Sequence, residues 1–133
     1  MKVTVDTSAL LAVILDEPER TEIVSLTKGC TLVAPSVLPY ELGNALVALS
    51  KRRVLTASDV GKAWVLFERA PVELRDIDIG LALQIATRHN IYAYDAYQIQ
   101  CAIESSSTLL TLDRRLGTVA GHEGVKLRQE SRA

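Results

Sequence analysis

Hydrophobic and polar positions along the chain follow two periods, one typical of strands and one typical of helices. Short runs rich in Val, Thr and Leu predict strands at residues 2–5, 31–34, 72–75, 108–112 and 125–127. Between them, apolar residues recur every three or four positions, which predicts helices over 7–15, 19–28, 37–53, 56–69, 78–89 and 95–103 and after residue 113. This order of elements predicts an α/β fold, a three-layer α/β/α sandwich with a mainly parallel central sheet.

Capping residues and helix-ending residues mark where these helices start and stop. Thr7 or Ser8 is expected to cap the first helix and Ser36 the third, because a hydroxyl can accept from a free backbone N–H group. The segment Thr56-Ala57-Ser58-Asp59 has the form of a capping box, and Gly29 ends the second helix. The helices that begin near 37 and 56 are expected to form an antiparallel pair.

The helical spacing also predicts which side chains face the core. In three helices the inward residues are expected to be Leu38, Leu42, Ala45, Leu46 and Leu49, then Leu81, Leu83, Ile85 and Ala86, then Ile99, Ala102 and Ile103. His89 ends a helix, and His122 lies in a loop-like Gly-His-Glu-Gly segment. Neither histidine is therefore assigned a ligand role.

Composition and net charge indicate the number of domains, the cellular compartment and the kind of partner to expect. A length of 133 residues and a hydrophobic content of 48% fit one globular domain spanning 1–133. Two cysteines without ligand spacing indicate a reducing compartment, and no apolar run is long enough to span a bilayer, so we expect a cytoplasmic protein without a membrane segment. Fifteen Lys and Arg against sixteen Asp and Glu give a net charge of −1, so any nucleic-acid contact must come from a local patch.

Four carboxylates are predicted to meet at one edge of the sheet. Asp6 and Asp113 directly follow strands, while Glu41 and Asp95 fall in the first turns of helices. In a doubly wound sheet all four positions map to the edge formed by the carboxyl ends of the strands, where ligands bind. Taken singly, Asp95 is more often a helix cap. Glu41, about 60° from Leu38 around its helix, also fits a partly solvated neighbour of the buried stripe.

Such a group of acids requires a counter-charge. Two unit charges about 4 Å apart repel by roughly 4 kcal/mol at an effective dielectric constant near 20. A divalent cation removes this repulsion, and oxygen ligands without Cys or His favour Mg²⁺ or Mn²⁺. Because Mg²⁺ usually keeps water and recruits phosphate, the predicted chemistry is hydrolysis of phosphodiester bonds.

Other α/β enzymes with an aspartate after a strand fit the sequence less well. A dehalogenase-type phosphatase needs a second aspartate two residues later, where this chain has Ser8, and a receiver domain needs an acidic pair at that place. The sequence contains neither a Gly-rich dinucleotide turn nor a Gly-Lys-Ser/Thr phosphate loop. Nucleotide-binding proteins of those classes are therefore not favoured.

Four segments carry a family signal because they occur in a set order and at set separations. They are Val5-Asp6-Thr7-Ser8-Ala9-Leu10, Pro39-Tyr40-Glu41-Leu42-Gly43-Asn44-Ala45-Leu46, Tyr94-Asp95-Ala96-Tyr97 and Leu110-Thr111-Leu112-Asp113-Arg114-Arg115-Leu116. Over nearly its whole length the chain resembles the PIN-domain ribonucleases that act as toxins in VapBC-type toxin–antitoxin modules. The resemblance implies a single PIN-like domain, Mg²⁺- or Mn²⁺-dependent cleavage of RNA, a homodimer and inhibition by a cognate antitoxin.

The resemblance also implies roles for individual residues. The catalytic and metal-binding acids would be Asp6, Glu41, Asp95 and Asp113. Of these, Asp6 and Asp95 are expected to be the firmest metal ligands, with the attacking water between them. The candidate substrate contacts are Ser8, Asn44, Arg52 and Arg114. Arg115 departs from the pattern, because some relatives have a further acid there.

Two expectations about partners remain open at this stage. An apolar antitoxin helix is expected to pack on the helical pair at 37–69, with an Arg or Lys of the antitoxin entering the acidic pocket. No aromatic stacking motif accompanies the basic residues of the chain, so the sequence does not indicate which RNA is cut. The alternative function is a catalytically idle PIN scaffold that holds a partner protein or RNA.

Overall fold

The computed structural model describes residues 1–129 and shows four strands and seven helices in that part of the chain. In chain order they are β1 (Lys2–Val5), α1 (Thr7–Ile14), α2 (Arg20–Thr27), β2 (Thr31–Pro35), α3 (Leu38–Lys51), α4 (Ala57–Arg69), β3 (Val72–Arg75), α5 (Ile79–His89), α6 (Ala93–Ser105), β4 (Thr108–Leu110) and α7 (Arg114–His122). The predicted order is confirmed up to α7. None of these helices is long and apolar enough to cross a bilayer.

The four strands form one parallel sheet in the order β3-β2-β1-β4. Strand β1 lies inside the sheet, where Val3 pairs with Leu32 of β2 on one side and with Thr108 of β4 on the other. The predicted parallel sheet is confirmed. Because every strand runs the same way, all the strands end at one edge, and β1 ends between its two neighbours.

Alternate residues of the strands build two separate cores. Val3, Val5 and Leu110 pack with the buried side chains of α1 to α4. Leu109, the neighbour of Leu110, packs instead with α5, α6 and α7. Since successive side chains of a strand point to opposite faces, the sheet lies between two helical layers. The predicted α/β/α sandwich is confirmed.

Helix α3 begins without the predicted cap. Ser36 was expected in that role, but Val37 precedes the helix in a helical conformation and no side chain caps it. The pairing of Pro35 with Arg75 carries β2 up to this point, and the Ser36 backbone N–H donates to the Arg75 carbonyl. Ser36 is therefore held by the sheet and not by the helix. The capping box at Thr56 and Asp59 is confirmed at the start of α4, which packs on α3.

Helix α5 buries only part of the predicted face: Ile85 and Ala86 are buried as predicted, and two leucines are not. Leu81 and Leu83 were expected to point inward, but they are 47% and 45% exposed. The buried residues are Ala82 and Ala86, together with Ile85, on the side that packs closely against α6. The prediction also failed for Ile103 of α6, which is exposed. Small side chains permit close contact between helices. Ala82 therefore faces α6, and Leu81 and Leu83 stay exposed.

The C-terminal segment pairs with the sheet more briefly than predicted. Residues 125–127 form no strand; Leu127 makes an isolated parallel bridge to Leu109. Strand β4 also ends at Leu110 and not at 112, and α7 includes His122, which was expected in a loop. The tail that was expected to fray after Arg128 lies mostly outside the described residues.

Candidate active site

Asp6 lies where the central strand passes into the first helix. It caps α1 itself: its Oδ1 accepts from the Ala9 backbone N–H (2.9 Å) and from the Ser8 hydroxyl (2.7 Å), and its Oδ2 accepts from the Thr111 hydroxyl. The prediction that Thr7 or Ser8 would be the cap was wrong, because Thr7 is already helical. The Asp6 side chain is buried (4% exposed). Burial raises the pKa of Asp6 although the three hydrogen bonds act in the opposite direction.

Glu41 lies in the first turn of α3, half-buried beside the apolar stripe, as its helical position predicted. Its Oε2 is buried and, within residues 1–129, has no hydrogen-bond partner. Burial raises the pKa of Glu41, the charges of Asp95 and Asp6 raise it further, and the neighbouring Thr7 hydroxyl opposes them. An unpartnered buried carboxylate oxygen is costly, so this group is suited to a ligand that supplies a positive charge or a donor.

Asp95 and Asp113 approach from the other layer. Asp95 lies in the first turn of α6, whose cap position is Tyr92, so the simpler interpretation of Asp95 as a cap does not hold. Burial raises the pKa of Asp95, as do the charges of Asp113 and Asp6, while Arg115 lowers it. Asp113 caps α7 by accepting from the Leu116 backbone N–H at 3.1 Å.

The four acids act on one another electrostatically. Asp113 and Asp6 raise the pKa of Asp95, Asp95 and Asp6 raise that of Glu41, and Asp113 raises that of Asp6. Within residues 1–129, however, no three Asp, Glu, His or Cys side chains are placed so that they could hold a metal ion together. Asp6 and Asp113 use carboxylate oxygens to cap the helices that follow them. The fold therefore brings the four acids into one neighbourhood, with the carboxylates of Asp6 and Asp113 turned toward the helices that they cap.

Thr111 connects two of the acids and was not singled out by the sequence analysis. Its hydroxyl donates to Asp6 and accepts from the Asp113 backbone N–H at 3.0 Å. Thr111 directly follows the last residue of β4, Leu110, and its hydroxyl reaches Asp6 at the end of the neighbouring strand. A hydroxyl residue two positions before a strand-end aspartate is the only sequence signal that could have indicated this role.

A pocket of about 330 Å³ opens beside Asp95 and Asp113. It is also lined by Asn90, Ile91, Tyr92, Arg115 and Leu116. Arg115 donates to the Asn90 backbone carbonyl at 3.1 Å, which holds its guanidinium at the pocket. Arg115, which departs from the family pattern in the sequence, is a cation within the acidic pocket in the structure.

The four predicted substrate contacts have different positions. Ser8 supports the fold of the site, since its hydroxyl donates to Asp6 and accepts from the Leu112 backbone N–H at 3.0 Å. Asn44 is exposed one turn after Glu41, and Arg114 is exposed at the start of α7. Arg52 lies at the far end of α3, eleven residues or about 16 Å beyond Glu41 along the helix. The structure does not bring Arg52 to the acids.

Comparison with known proteins identifies the family. The PIN domain family matches residues 3–122. No curated protein sequence matches the chain. Three solved structures share its fold: PAE2754 from Pyrobaculum aerophilum (24% identity, TM-score 0.69, 90% of this chain and 84% of that one); VapBC2 from Rickettsia felis, bound to a DNA fragment from its promoter (15%, 0.69, 97% and 98%); and FitAcB from Neisseria gonorrhoeae (19%, 0.60, 94% and 95%). The match over nearly the whole sequence shows that the chain belongs to the PIN domain family.

Proposed function

We propose that this PIN domain is a metal-dependent endoribonuclease, the toxin of a type II toxin–antitoxin pair. The observation that carries the proposal is the mutual electrostatic effect of Asp6, Glu41, Asp95 and Asp113 at the edge where the parallel strands end. PIN domains are generally nucleases, and the chain is similar in fold to VapBC2 over 97% of its length. Hydrolysis of an RNA phosphodiester is the chemistry that these acids support best.

The donor types of the four acids suit a divalent cation, although their side chains are not gathered around one point. Every candidate ligand is a carboxylate oxygen, which favours Mg²⁺ or Mn²⁺ over softer metals. Glu41 has a buried oxygen without a partner, and burial raises the pKa of three of the four acids. Asp6 and Asp95 would hold the ion, with Glu41 and Asp113 completing its surroundings. The chemistry that the ion supplies is activation of water and neutralisation of charge on the phosphate.

The chain itself positions the reacting groups. Hydrogen bonds from Ser8, Ala9 and Thr111 fix both oxygens of Asp6, so the orientation of this carboxylate is set before any ligand arrives. Glu41, half-buried and electrostatically coupled to Asp95 and Asp6, would accept a hydrogen bond from the attacking water through its carboxylate. A preorganised acceptor of this kind lowers the cost of orienting the water in line with the phosphorus.

Replacing Asp6 with Asn tests the catalytic assignment. Asn keeps the helix cap but removes the charge, so cleavage of RNA in Mg²⁺ or Mn²⁺ should fall by about 100-fold or more. Asp78→Asn is the matched control, because Asp78 also caps a helix, through the Leu81 backbone N–H, but is not one of the four acids. Gel analysis of a labelled RNA measures both rates. If Asp6→Asn cut RNA as fast as the Asp78 variant, Asp6 would not be a catalytic ligand.

A second candidate function is the catalytically idle scaffold that only binds a protein or RNA. It is favoured by one observation: no three acids of residues 1–129 are placed to hold a metal ion together. Calorimetric titration with Mn²⁺ separates the two candidates. Heat of binding that disappears in Asp6→Asn supports the nuclease, whereas the absence of binding and of RNA cleavage supports the scaffold.

The partners of this chain follow from the same proposal. An antitoxin helix would cover apolar side chains that α3 and α4 leave exposed, among them Val47, Val65 and Leu66. A second copy of the chain would cover Ile79 and Leu83, which lie one turn apart on the exposed side of α5. Sedimentation equilibrium measures whether the protein alone is the proposed homodimer.

A further inference from the structure

The side chain of Tyr92 lies at the acidic pocket, although its backbone occupies the cap position of α6. It is 84% exposed and lines the pocket beside Asp95 and Arg115. The nearby Tyr94 differs, since its ring packs edge-on against Tyr97 with centroids 5.9 Å apart. Among the described residues, Tyr92 has no aromatic partner and no side-chain hydrogen bond. An exposed ring next to a pocket presents a flat apolar face to whatever binds there.

Most N–H donors of the Arg115 side chain have no hydrogen-bond partner among residues 1–129. A guanidinium carries five N–H groups, and the one hydrogen bond of Arg115 among residues 1–129 goes to the Asn90 carbonyl. Arg115 lowers the pKa of Asp95, yet it forms no ion pair within 4.0 Å with any acid of the described chain. Asp95 and Asp113 would repel a phosphate in this pocket, so the free guanidinium edge is the group that can bind one.

We propose that Tyr92 and Arg115 form a subsite for one nucleotide of single-stranded RNA, in which the Tyr92 ring stacks on a base and Arg115 binds the adjoining phosphate. This inference rests on the proposed nuclease function and adds to it the residues that hold the substrate. Single-stranded RNA is the ligand because only unpaired bases present a free face for stacking on an aromatic side chain.

The loop between α5 and α6 builds both halves of the subsite. Asn90 ends α5 in the left-handed conformation (φ +51°), and its carbonyl receives Arg115. Tyr92, two residues later, precedes α6, which carries Asp95 in its first turn. The pocket volume of about 330 Å³ is near the lower end of the roughly 300–1,000 Å³ range of small-molecule sites, which suits a single nucleotide.

Binding of RNA without metal tests the subsite separately from catalysis. Fluorescence anisotropy of a labelled single-stranded RNA is measured in EDTA with the full-length protein. Tyr92→Ala should weaken binding about 5- to 100-fold, and Tyr92→Phe should keep it within about twofold because the ring remains. Arg115→Gln should lower the slope of log affinity against log salt by about 0.7, the value for one phosphate contact on a single strand. Lys2→Gln is the matched charge control, since exposed Lys2 begins β1 at the opposite edge of the sheet.

The outcomes distinguish this proposal from the proposed function. If Tyr92→Ala binds RNA as tightly as the unmodified protein, or if Lys2→Gln lowers the salt slope as much as Arg115→Gln, the subsite is wrong even when the enzyme cleaves RNA. If the protein binds RNA with these mutational effects but never cleaves it in Mg²⁺ or Mn²⁺, the nuclease function is wrong and the subsite stands.

Discussion

At the scale of single residues, Asp6 serves the fold and the site with the same carboxylate. Its two oxygens accept from Ala9, Ser8 and Thr111, so the charge is buried with partners. These hydrogen bonds stabilise the charged carboxylate less than burial destabilises it, so the pKa of Asp6 remains raised. Burial is also the largest cause of the raised pKa values of Glu41 and Asp95. Without a cation, the negative charges of these acids therefore destabilise the folded protein.

The raised pKa of Asp6 predicts how the free energy of unfolding depends on pH. A raised pKa means that the folded state binds the proton more tightly than the unfolded state does. The contribution to stability is therefore fully present below the ordinary carboxyl pKa and is lost as the pH rises through the raised value. In EDTA, Asp6→Asn should raise the melting temperature by a few degrees near neutral pH. Near pH 4, close to the ordinary carboxyl pKa, the gain should be smaller, because the raised pKa means that Asp6 takes up a proton more readily there in the folded protein.

Differential scanning calorimetry at the two pH values measures this difference. Asn remains a good cap, and its amide N–H can donate to the Thr111 hydroxyl oxygen in place of the hydrogen bond that Asp6 accepts from that hydroxyl. Asp78→Asn, at a cap outside the four acids, should change the melting temperature little at either pH. A metal-free Asp6→Asn protein that melts below the unmodified protein at neutral pH would contradict the interpretation.

At the scale of elements, the exposed apolar faces of helices are informative about partners. Val65 and Leu66 of α4 are 44% and 50% exposed, and they border a shallow groove with Gly61. A Cβ atom at Gly61 would meet nothing within 4 Å. The fold therefore does not require glycine there. The open space beside an apolar face is where the proposed antitoxin helix can approach closely.

A charge placed in this groove should weaken the complex. Val65→Asp would bury a carboxylate under the antitoxin helix, so affinity for the product of the neighbouring gene should fall by 10-fold or more, about 1.4 kcal/mol. Val24→Asp is the control, because Val24 is 49% exposed on α2 and outside the helical pair. Co-purification followed by calorimetry measures both affinities. Equal binding by the two variants would place the antitoxin elsewhere.

At the scale of the whole molecule, the parallel sheet is what collects the acids. Asp6 follows the inner strand β1 and Asp113 follows the adjacent β4, while Glu41 and Asp95 come from opposite helical layers. A cation bound among the acids would therefore connect both layers, and its binding should stabilise the entire fold.

Metal binding should appear as a shift in global stability. At a Mn²⁺ concentration about 100 times the dissociation constant, linkage supplies about 2.7 kcal/mol, which for a domain of this size corresponds to roughly 5–15 °C in melting temperature. Asp95→Asn should lose most of this shift, and EDTA should reverse it. An unmodified protein whose melting temperature ignores Mn²⁺ and Mg²⁺ would support the idle scaffold instead.

Much of the architecture follows from local patterns. Strand-like runs, helical spacing and the capping box at Thr56 are properties of short segments, so they could be recognised without tertiary contacts. The order of those segments leads to a parallel sheet and thus to a common edge for Asp6, Glu41, Asp95 and Asp113. The sequence by itself therefore determined the fold class and the neighbourhood of the acids.

Only the tertiary structure decided which face of each helix is buried and what each polar group contacts. Helix α5 buries Ala82 in place of Leu81 and Leu83 because close packing on α6 depends on the shape of the partner helix, which spacing along one helix does not contain. Likewise, Thr111 reaches Asp6 across 105 residues of sequence, and Arg115 reaches Asn90 across 25. Such contacts depend on three-dimensional distance, so the pocket with Tyr92 and Arg115 became visible only after the chain was folded.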